Sequence, residues 1–471
     1  MQTGEQARQM HGIRCASLFG GCCLVLCIAL CVYWSKKASA ELDPGMARLI
    51  AEKRALAKEI AASETDRVPN GVWKCFDLLE RNKWQQASNV CDRLRREAGR
   101  YHDPNIYGIP PPTTDFRSKM SAVFAALRPP RTPSALVGPL YHPVYDALGA
   151  AESFHDWDNR LLHKFGRDII DSIPTNSIYF GGTDSGRFVV TALSESHRHG
   201  KPFFTLAQNA LPDGSYLHYL RRMYSDRIYI PTDADVRAAF NDLYDDAWQH
   251  TTNGQREPEE VMAFNWLLVK TILKHNPEHE FYVEESFPSS SMYPQLSPHG
   301  LILKLNREEL PELTEFVTQA DHEYWRRYAA QLVGDWMKDE TSVKQVCDFG
   351  EKVYLRKDLS GFTGDPAFAR CEAAQKSFSK LRSSIGGLYA WRQIHAVTAE
   401  EKARMGREAD YAFRQALALC PCSLEVVSRY VKLLSSEKRT VDALLVAETC
   451  ERFNPGNAQI IQMVEQLKSA Q

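Results

Sequence analysis

The chain has 471 residues, with 57 Lys and Arg set against 59 Asp and Glu, 44% hydrophobic residues and a formal charge of −2. That is enough sequence to bury a core in each of two or three domains, so disorder is not the default. Basic residues are scattered among acids and form no stripe, which argues against a nucleic-acid partner.

Residues 15–34, CASLFGGCCLVLCIALCVYW, carry no charge and are long enough to cross a bilayer core as a helix. They are expected to anchor the chain in the cell membrane as a single span. Residues 1–14 would form a cytoplasmic tail, with the bulk of the chain extracytoplasmic. Arg8 and Arg14 precede the span and Lys36 and Lys37 follow it, so flanking charge does not orient it. Ala38-Ser39-Ala40 fits a signal-peptidase site, but the apolar run exceeds the roughly 7 to 15 residues of a cleaved signal, and retention as an anchor is expected. Outside the span lie Cys75, Cys91, Cys347, Cys371, Cys420, Cys422 and Cys450, without the paired spacing of a metal site, so no metal is predicted. In an exported chain Cys75 with Cys91, or Cys422 with Cys450, could bridge neighbouring helices; free buried thiols are the equal alternative.

Residues 35–156 read as a stalk, a hairpin and a linker. Residues 44–62 are rich in Ala, Glu, Lys, Arg and Leu and predict a helical spacer. Residues 72–98 predict two amphipathic helices around Arg81-Asn82-Lys83, sharing a seam of Trp73, Phe76, Leu79, Trp84, Cys91 and Leu94. Recurrent prolines then mark a linker up to Pro143, with a short helix at 118–127.

Residues 157–309 predict an α/β domain, a small, mostly parallel sheet flanked by helices. A helix packing Leu161, Leu162, Phe165, Ile169 and Ile170 precedes strands at 177–180, 203–206, 227–230, 280–286 and 300–305. After the first strand comes Gly181-Gly182-Thr183-Asp184-Ser185-Gly186-Arg187, a tight turn into a helix. After the second come Gln208 and Asn209. In a parallel sheet both loops lie beyond the strand carboxyl ends, where ligands bind. Free amides at a helix N-terminus suit phosphate and the two side-chain amides suit hydroxyls, so the expected ligand is a sugar or a phosphate. The plain alternative is a structural turn, with Asp184 as helix cap, Arg187 in a surface pair and Asp213 capping the next helix.

The glycine spacing matches neither G-x-G-x-x-G nor G-x-x-x-x-G-K-[ST], and neither H-E-x-x-H nor G-x-S-x-G occurs, so no cofactor and no catalytic residue is assigned. His197 and His199 fall at a predicted helix end and suit the dipole there. Adjacent Glu284 and Glu285 face opposite sides of a strand, so at most one enters a given pocket. His299, beside a turn, is read as structural.

Residues 310–389 predict a helical extension, with Trp325, Tyr328, Leu332 and Trp336 on one face. Within a long helix at 366–392, Gly386-Gly387 admits a neighbouring helix, while Ser377, Ser379 and Arg382 read as a solvated face. In residues 390–471, Ala409, Phe413, Ala416 and Pro421 are echoed about 34 residues later by Ala443, Ala447, Cys450 and Pro455. This pattern resembles the tetratricopeptide repeat, with Val431 standing where that family has a small residue. The resemblance covers about two repeats and implies stacked helix pairs that bind a protein partner.

The segments IYFGGTDSGRFV, PFFTLAQNALPDGSYLHYLR, EFYVEESF, SPHGLILKLNR and SFSKLRSSIGGLYAWR are similar to extracytoplasmic parts of bacterial membrane proteins with glycosyltransferase-like membrane halves and C-terminal tetratricopeptide repeats. That likeness spans residues 160–460 and implies transfer chemistry in acidic loops between many membrane helices, whereas this chain has one candidate span. The expectation is an anchored binding or scaffold protein of envelope glycan metabolism. The alternative is a transferase or hydrolase using the Gly181–Arg187 loop.

Overall fold

The computed structural model describes residues 42–63, 68–97, 138–182, 185–224, 226–247, 258–284 and 291–469. The predicted span at 15–34, the helix at 118–127, Thr183, Asp184 and Glu285 lie outside the described residues. Among the described residues no helix is long and apolar enough to cross a membrane.

Five strands form one sheet in the order β2-β1-β3-β5-β4: β1 Ile178–Gly181, β2 Phe204–Ala207, β3 Phe281–Val283, β4 Leu296–His299 and β5 Ile302–Leu305. β1 runs parallel to both β2 and β3, and all three are buried at every position, as short apolar runs covered on both faces require. β5 is antiparallel to β3 and β4, so the sheet is mixed and not mostly parallel. The reason is local. Gly300 takes φ +59° in the turn between β4 and β5, and so short a connection can only return the chain antiparallel.

Pro298 hid β4 from sequence reading. It sits on the edge strand, where a missing N–H costs no ladder bond. The strand expected at 227–230 does not form. Asn276 instead accepts from Tyr229 N at 2.7 Å and donates to Tyr229 O at 3.1 Å, meeting the backbone's needs without a neighbouring strand.

The helix read as a stalk, α1 (Pro44–Ser63), packs into the domain. Met46, Leu49, Ile50, Leu56, Ala57 and Ile60 recur at helical spacing and are buried. The expected hairpin follows as α2 (Asn70–Glu80) and α3 (Trp84–Glu97). Helices α4 (Tyr141–Asp156), α5 (Asn159–Ser172), α6 (Ser185–Leu193), α7 (Gly214–Tyr224), α8 (Asp233–Ala247) and α9 (Pro258–His275) complete the α/β part. Asp158 caps α5 by accepting from Leu161 N at 3.2 Å. Gly149 of α4 leaves room for Phe188, whose ring would lie 2.4 Å from a Cβ there.

The rest is helical: α10 (Glu315–Val333), α11 (Val343–Gly350), α12 (Glu372–His395), α13 (Ala399–Leu419), α14 (Leu424–Ser436), α15 (Thr440–Phe453) and α16 (Ala458–Ser469). Ala409, Phe413, Ala416, Ala443, Ala447 and Cys450 all lie in the core between successive helices. Gly386 faces Phe413 and Ala412 of α13, the close approach expected of it.

Arg382 and Ser379 are buried, contrary to the solvated face read from sequence. The guanidinium is buried with partners at Nη1 and Nε, while its Nη2 and the Asp321 Oδ1 have none. Arg382 Nη1 meets Asp321 Oδ2 at 2.8 Å, Nε donates to Gln415 Oε1 at 2.7 Å, and Tyr389 Oη donates to the same Asp321 oxygen at 2.8 Å. Ser379 Oγ donates to Ala416 O at 2.6 Å. Arg382→Ala would strand the Asp321 carboxylate in α10 and should destabilise the chain by about 3–5 kcal/mol. Urea unfolding would show this as a lower midpoint, whereas Arg326→Ala at the exposed Arg326–Glu323 pair should leave the midpoint in place.

Candidate functional site

From β1 the chain passes to β2 on one side and then to β3 on the other, so the connections diverge between β1 and β3. Ligands of open α/β sheets bind at the carboxyl edge of such a switch point. Gly181 ends β1 at this edge, α6 begins at Ser185, and Glu284 leaves β3 beside them. Gly182 N donates to Glu284 Oε2 at 2.8 Å, and Tyr179 Oη lies 3.4 Å from the same oxygen. A Cβ on Gly186 would fall 1.8 Å from Glu284 Oε1. Gly186 is therefore glycine to admit a carboxylate against the first turn of α6, where the helix dipole favours negative charge. The anion position expected for phosphate is occupied by the protein's own Glu284.

Arg187 is not in a surface pair. It is 4% exposed; Nη1 lies 3.5 Å from Asp146 Oδ1, and the guanidinium sits 4.4 Å from the Phe188 ring centre. Asp146, on α4, also takes Lys53 Nζ at 2.9 Å and a 2.6 Å bond from Tyr219 Oη. Lys53 comes from α1 and is fully buried. Burial would raise the Asp146 carboxyl, but the Lys53 and Arg187 cations hold it well below the usual carboxylate range. Burial lowers Lys53, with Asp146 pulling the other way.

The cluster reaches β2 through Tyr216 Oη, which accepts from Ala207 N at 2.6 Å and lies close enough to the Arg187 cation for that charge to lower its pKa against burial. Asp213 caps α7 as expected, accepting from Ser215 N and Ser215 Oγ, both at 2.8 Å. His142 Nε2 lies 2.9 Å from Ser215 Oγ, and burial lowers its pKa. His197 is no dipole cap. The helix ends at Leu193, and burial beside Lys53 pulls the imidazole down to about 3, so it is neutral. His199 Nδ1 pairs with Ser196 Oγ at 2.8 Å. His299 is structural, with Nε2 at 2.7 Å from Ser172 O.

Gln208 and Asn209 are 4% and 3% exposed at the end of β2. Gln208 O accepts from Asn265 Nδ2, on α9, and Gln208 Nε2 points at Met292 Sδ, 4.0 Å away. Asn209 Oδ1 and Asn265 Oδ1 are buried without a hydrogen-bond donor. They are two of nine such buried side-chain atoms among the described residues, and the two that lie together at the end of β2; each forfeits its bond to water. Arg187 reaches neither amide directly; the connection runs through Tyr216 Oη and Ala207 N.

A cavity of about 650 Å³ opens elsewhere, lined by residues 226–230 and 275–279 ahead of β3. Its basic groups are committed to backbone carbonyls. Arg221 Nη1 donates to Pro231 O, Arg227 to Tyr224 O and Met223 O, and His279 meets Asn176 O. The orphaned amides at the opposite edge make the better site.

Sequence reasoning missed Lys53, Asp146 and Asn265. Lys53 interrupts the apolar stripe of Leu49, Leu56 and Ile60, and Asn265 stands between Phe264 and Trp266 on an apolar helix. A polar residue on a buried stripe needs a partner, and that was the available signal. No family model matches the chain, and no curated protein or solved structure matches it. Among the described residues no group of three His, Cys, Asp or Glu is placed to hold a metal.

Two outcomes follow from the geometry. Gly186→Ala drives a Cβ into Glu284 and should cost about 1–3 kcal/mol. Adding Glu284→Ala should recover part of that loss, a coupling that a double-mutant cycle by urea unfolding would read. His197, with its folded pKa near 3 and an unfolded value of about 6.5, takes up a proton on unfolding between these limits. Its share of stability is therefore lost as pH falls through that window. In His197→Gln the stability difference between pH 7 and pH 5 should shrink by about 2 kcal/mol. An unchanged difference would contradict a neutral buried imidazole.

Proposed function

We propose that this chain is a binding protein that takes up a neutral, hydroxyl-bearing ligand of the sugar class at the carboxyl edge of β1, β2 and β3. The observation carrying this reading is the pair of buried, donorless amide oxygens of Asn209 and Asn265. A ligand hydroxyl supplies the donor each lacks, while the Gln208 amide lies alongside. Glu284 already fills the anion position at the start of α6, which favours a neutral sugar over a phosphate.

Residues 15–34 would tether this domain to the outer face of the cell membrane, and the C-terminal helix pairs would dock a protein partner as tetratricopeptide repeats do. In that role the chain is an anchored scaffold of envelope glycan metabolism. The transferase or hydrolase alternative draws little from the geometry. Arg187 is engaged with Asp146 inside the domain, and the Glu284 carboxylate is engaged with Gly182.

Thermal unfolding of the purified chain against neutral oligosaccharides and sugar phosphates tests the reading, since a ligand bound only by the native state raises its stability. A neutral glycan should raise Tm where its phosphorylated counterpart does less. Asn209→Leu should abolish that shift while leaving the unliganded Tm equal or higher, because it removes a buried unsatisfied carbonyl. A glycan shift retained in Asn209→Leu, or no shift with any glycan, would refute the proposal.

A further inference from the structure

The turn between α13 and α14 reads Cys420-Pro421-Cys422, and its two sulfurs lie 3.4 Å apart. That is van der Waals contact, and neighbouring groups hold it. Cys420 N donates to Ala416 O at 3.0 Å, closing α13. The Pro421 ring rests on Gly350 of α11, where a Cβ would lie 3.0 Å from it. Asn454, at the end of α15, donates to Cys422 O at 3.1 Å. Tyr354 Oη donates to Ala418 O at 3.0 Å one turn earlier. Both thiols are thus positioned by packing before any reaction.

The two cysteines differ in a way that suits sequential roles. Cys420 is fully buried, whereas Cys422 is half-buried and immediately precedes Ser423, the N-cap of α14. Either sulfur can donate across this contact; the neighbouring Cys420 thiol lowers the Cys422 pKa against the effect of burial, and Lys376 of α12 acts in the same direction. Burial pushes Cys75 and Cys450 up to about 12 and Cys347 up to about 11. Neither bridge considered from sequence is present: Cys75 Sγ faces Ala87 O, and Cys450 Sγ takes a bond from Asn454 instead of joining Cys422.

We propose that Cys420 and Cys422 form a dithiol site that exchanges with small-molecule disulfides. The Cys422 thiolate attacks one sulfur of the incoming disulfide, forming a mixed disulfide and expelling one thiolate. Cys420, deprotonated as it reacts, attacks the Cys422 sulfur and expels the second thiolate. The protein dithiol is oxidised to the Cys420–Cys422 disulfide and the small disulfide is reduced to two thiols, with the two protein protons ending on the products. Any exchange must begin at Cys422, since Cys420 is shielded from solvent.

Oxidised glutathione is the probe. The purified chain is incubated with it, acid-quenched, alkylated and mapped by mass spectrometry. In the parent, Cys420 and Cys422 should be lost together as alkylation sites, appear as one linked peptide and return after dithiothreitol. Cys420→Ser should accumulate a glutathione adduct at Cys422, Cys422→Ser should give neither adduct nor bridge, and Cys450→Ser should behave as the parent does. Circular dichroism confirms that each variant is folded. The parent arm needs no variant: if Cys420 and Cys422 stay alkylatable in the folded chain, or if Cys422 links to Cys450 instead, the site is refuted.

Discussion

Asp146 is the residue on which the α/β half depends. Its carboxylate receives Lys53 from α1, Tyr219 from α7 and, more distantly, Arg187 from α6, while it sits itself on α4. Removing so many charges and dipoles from water costs several kcal/mol per ion, and only near-complete mutual pairing offsets it. The arrangement therefore has little tolerance for displacement. If α1 moved off the domain, Lys53 would leave behind a buried carboxylate whose remaining partners are the Tyr219 hydroxyl at 2.6 Å and one guanidinium at 3.5 Å. That is why a helix with the composition of a spacer is part of the domain. Its single buried cation ties it to the sheet layer as firmly as its apolar stripe does.

The same pairing decides what the strand edge can bind. By turning into the domain toward Asp146, Arg187 is withdrawn from the turn that carries it, and Glu284 lies against the start of α6 in place of an external anion. Gly186 is the structural signature of this choice, since any side chain there would meet the carboxylate. A glycine-rich turn entering a helix commonly leaves its amides free for phosphate. Here one of those amides is spent on an internal acceptor. What the edge retains is uncharged: the side-chain amides of Gln208, Asn209 and Asn265. Under the proposed reading, selectivity for a neutral polar group would follow from which charges the fold has already neutralised within itself.

The legible parts of the sequence were those set by local periodicity and caps. The α5 helix, the Gly181 turn, the Asp213 cap and the helix pairs ended by Pro421 and Pro455 all follow from spacing over one or two turns. What escaped depends on partners distant in sequence. Arg382 on an exposed helix face and Arg382 beside Asp321 look alike in a one-dimensional pattern, because the partner is 61 residues away. The Lys53–Asp146 pair spans a comparable gap, and Asn265 reaches Gln208 across 57 residues. Strand direction was lost for a different reason. β4 contains Pro298, a residue that argues against a strand everywhere except at a sheet edge, and edge position is a property of the assembled sheet.

The two halves of the chain share one apolar core, and their seam bears on how a ligand and a partner protein would relate. Phe165 of α5 packs edge-on against Phe378 of α12 at 5.1 Å, with Trp157 against both. On the far side, Arg392 donates to Leu310 O and Pro294 O, each at 2.7 Å, and Trp391 stacks on Tyr293. Met292, which faces Gln208 at the strand edge, is the residue before Tyr293. Contact is thus continuous from the orphaned amides to α12. Contact alone does not transmit a signal, because coupling requires an element with two arrangements that both sites bias. The buried Arg382–Asp321 pair lies within the helical half, where it joins α12 to α10 and favours a single arrangement of those helices, since breaking it would leave a charge unpaired in the core. The seam joins the C-terminal helices and the sheet edge through one continuous apolar core.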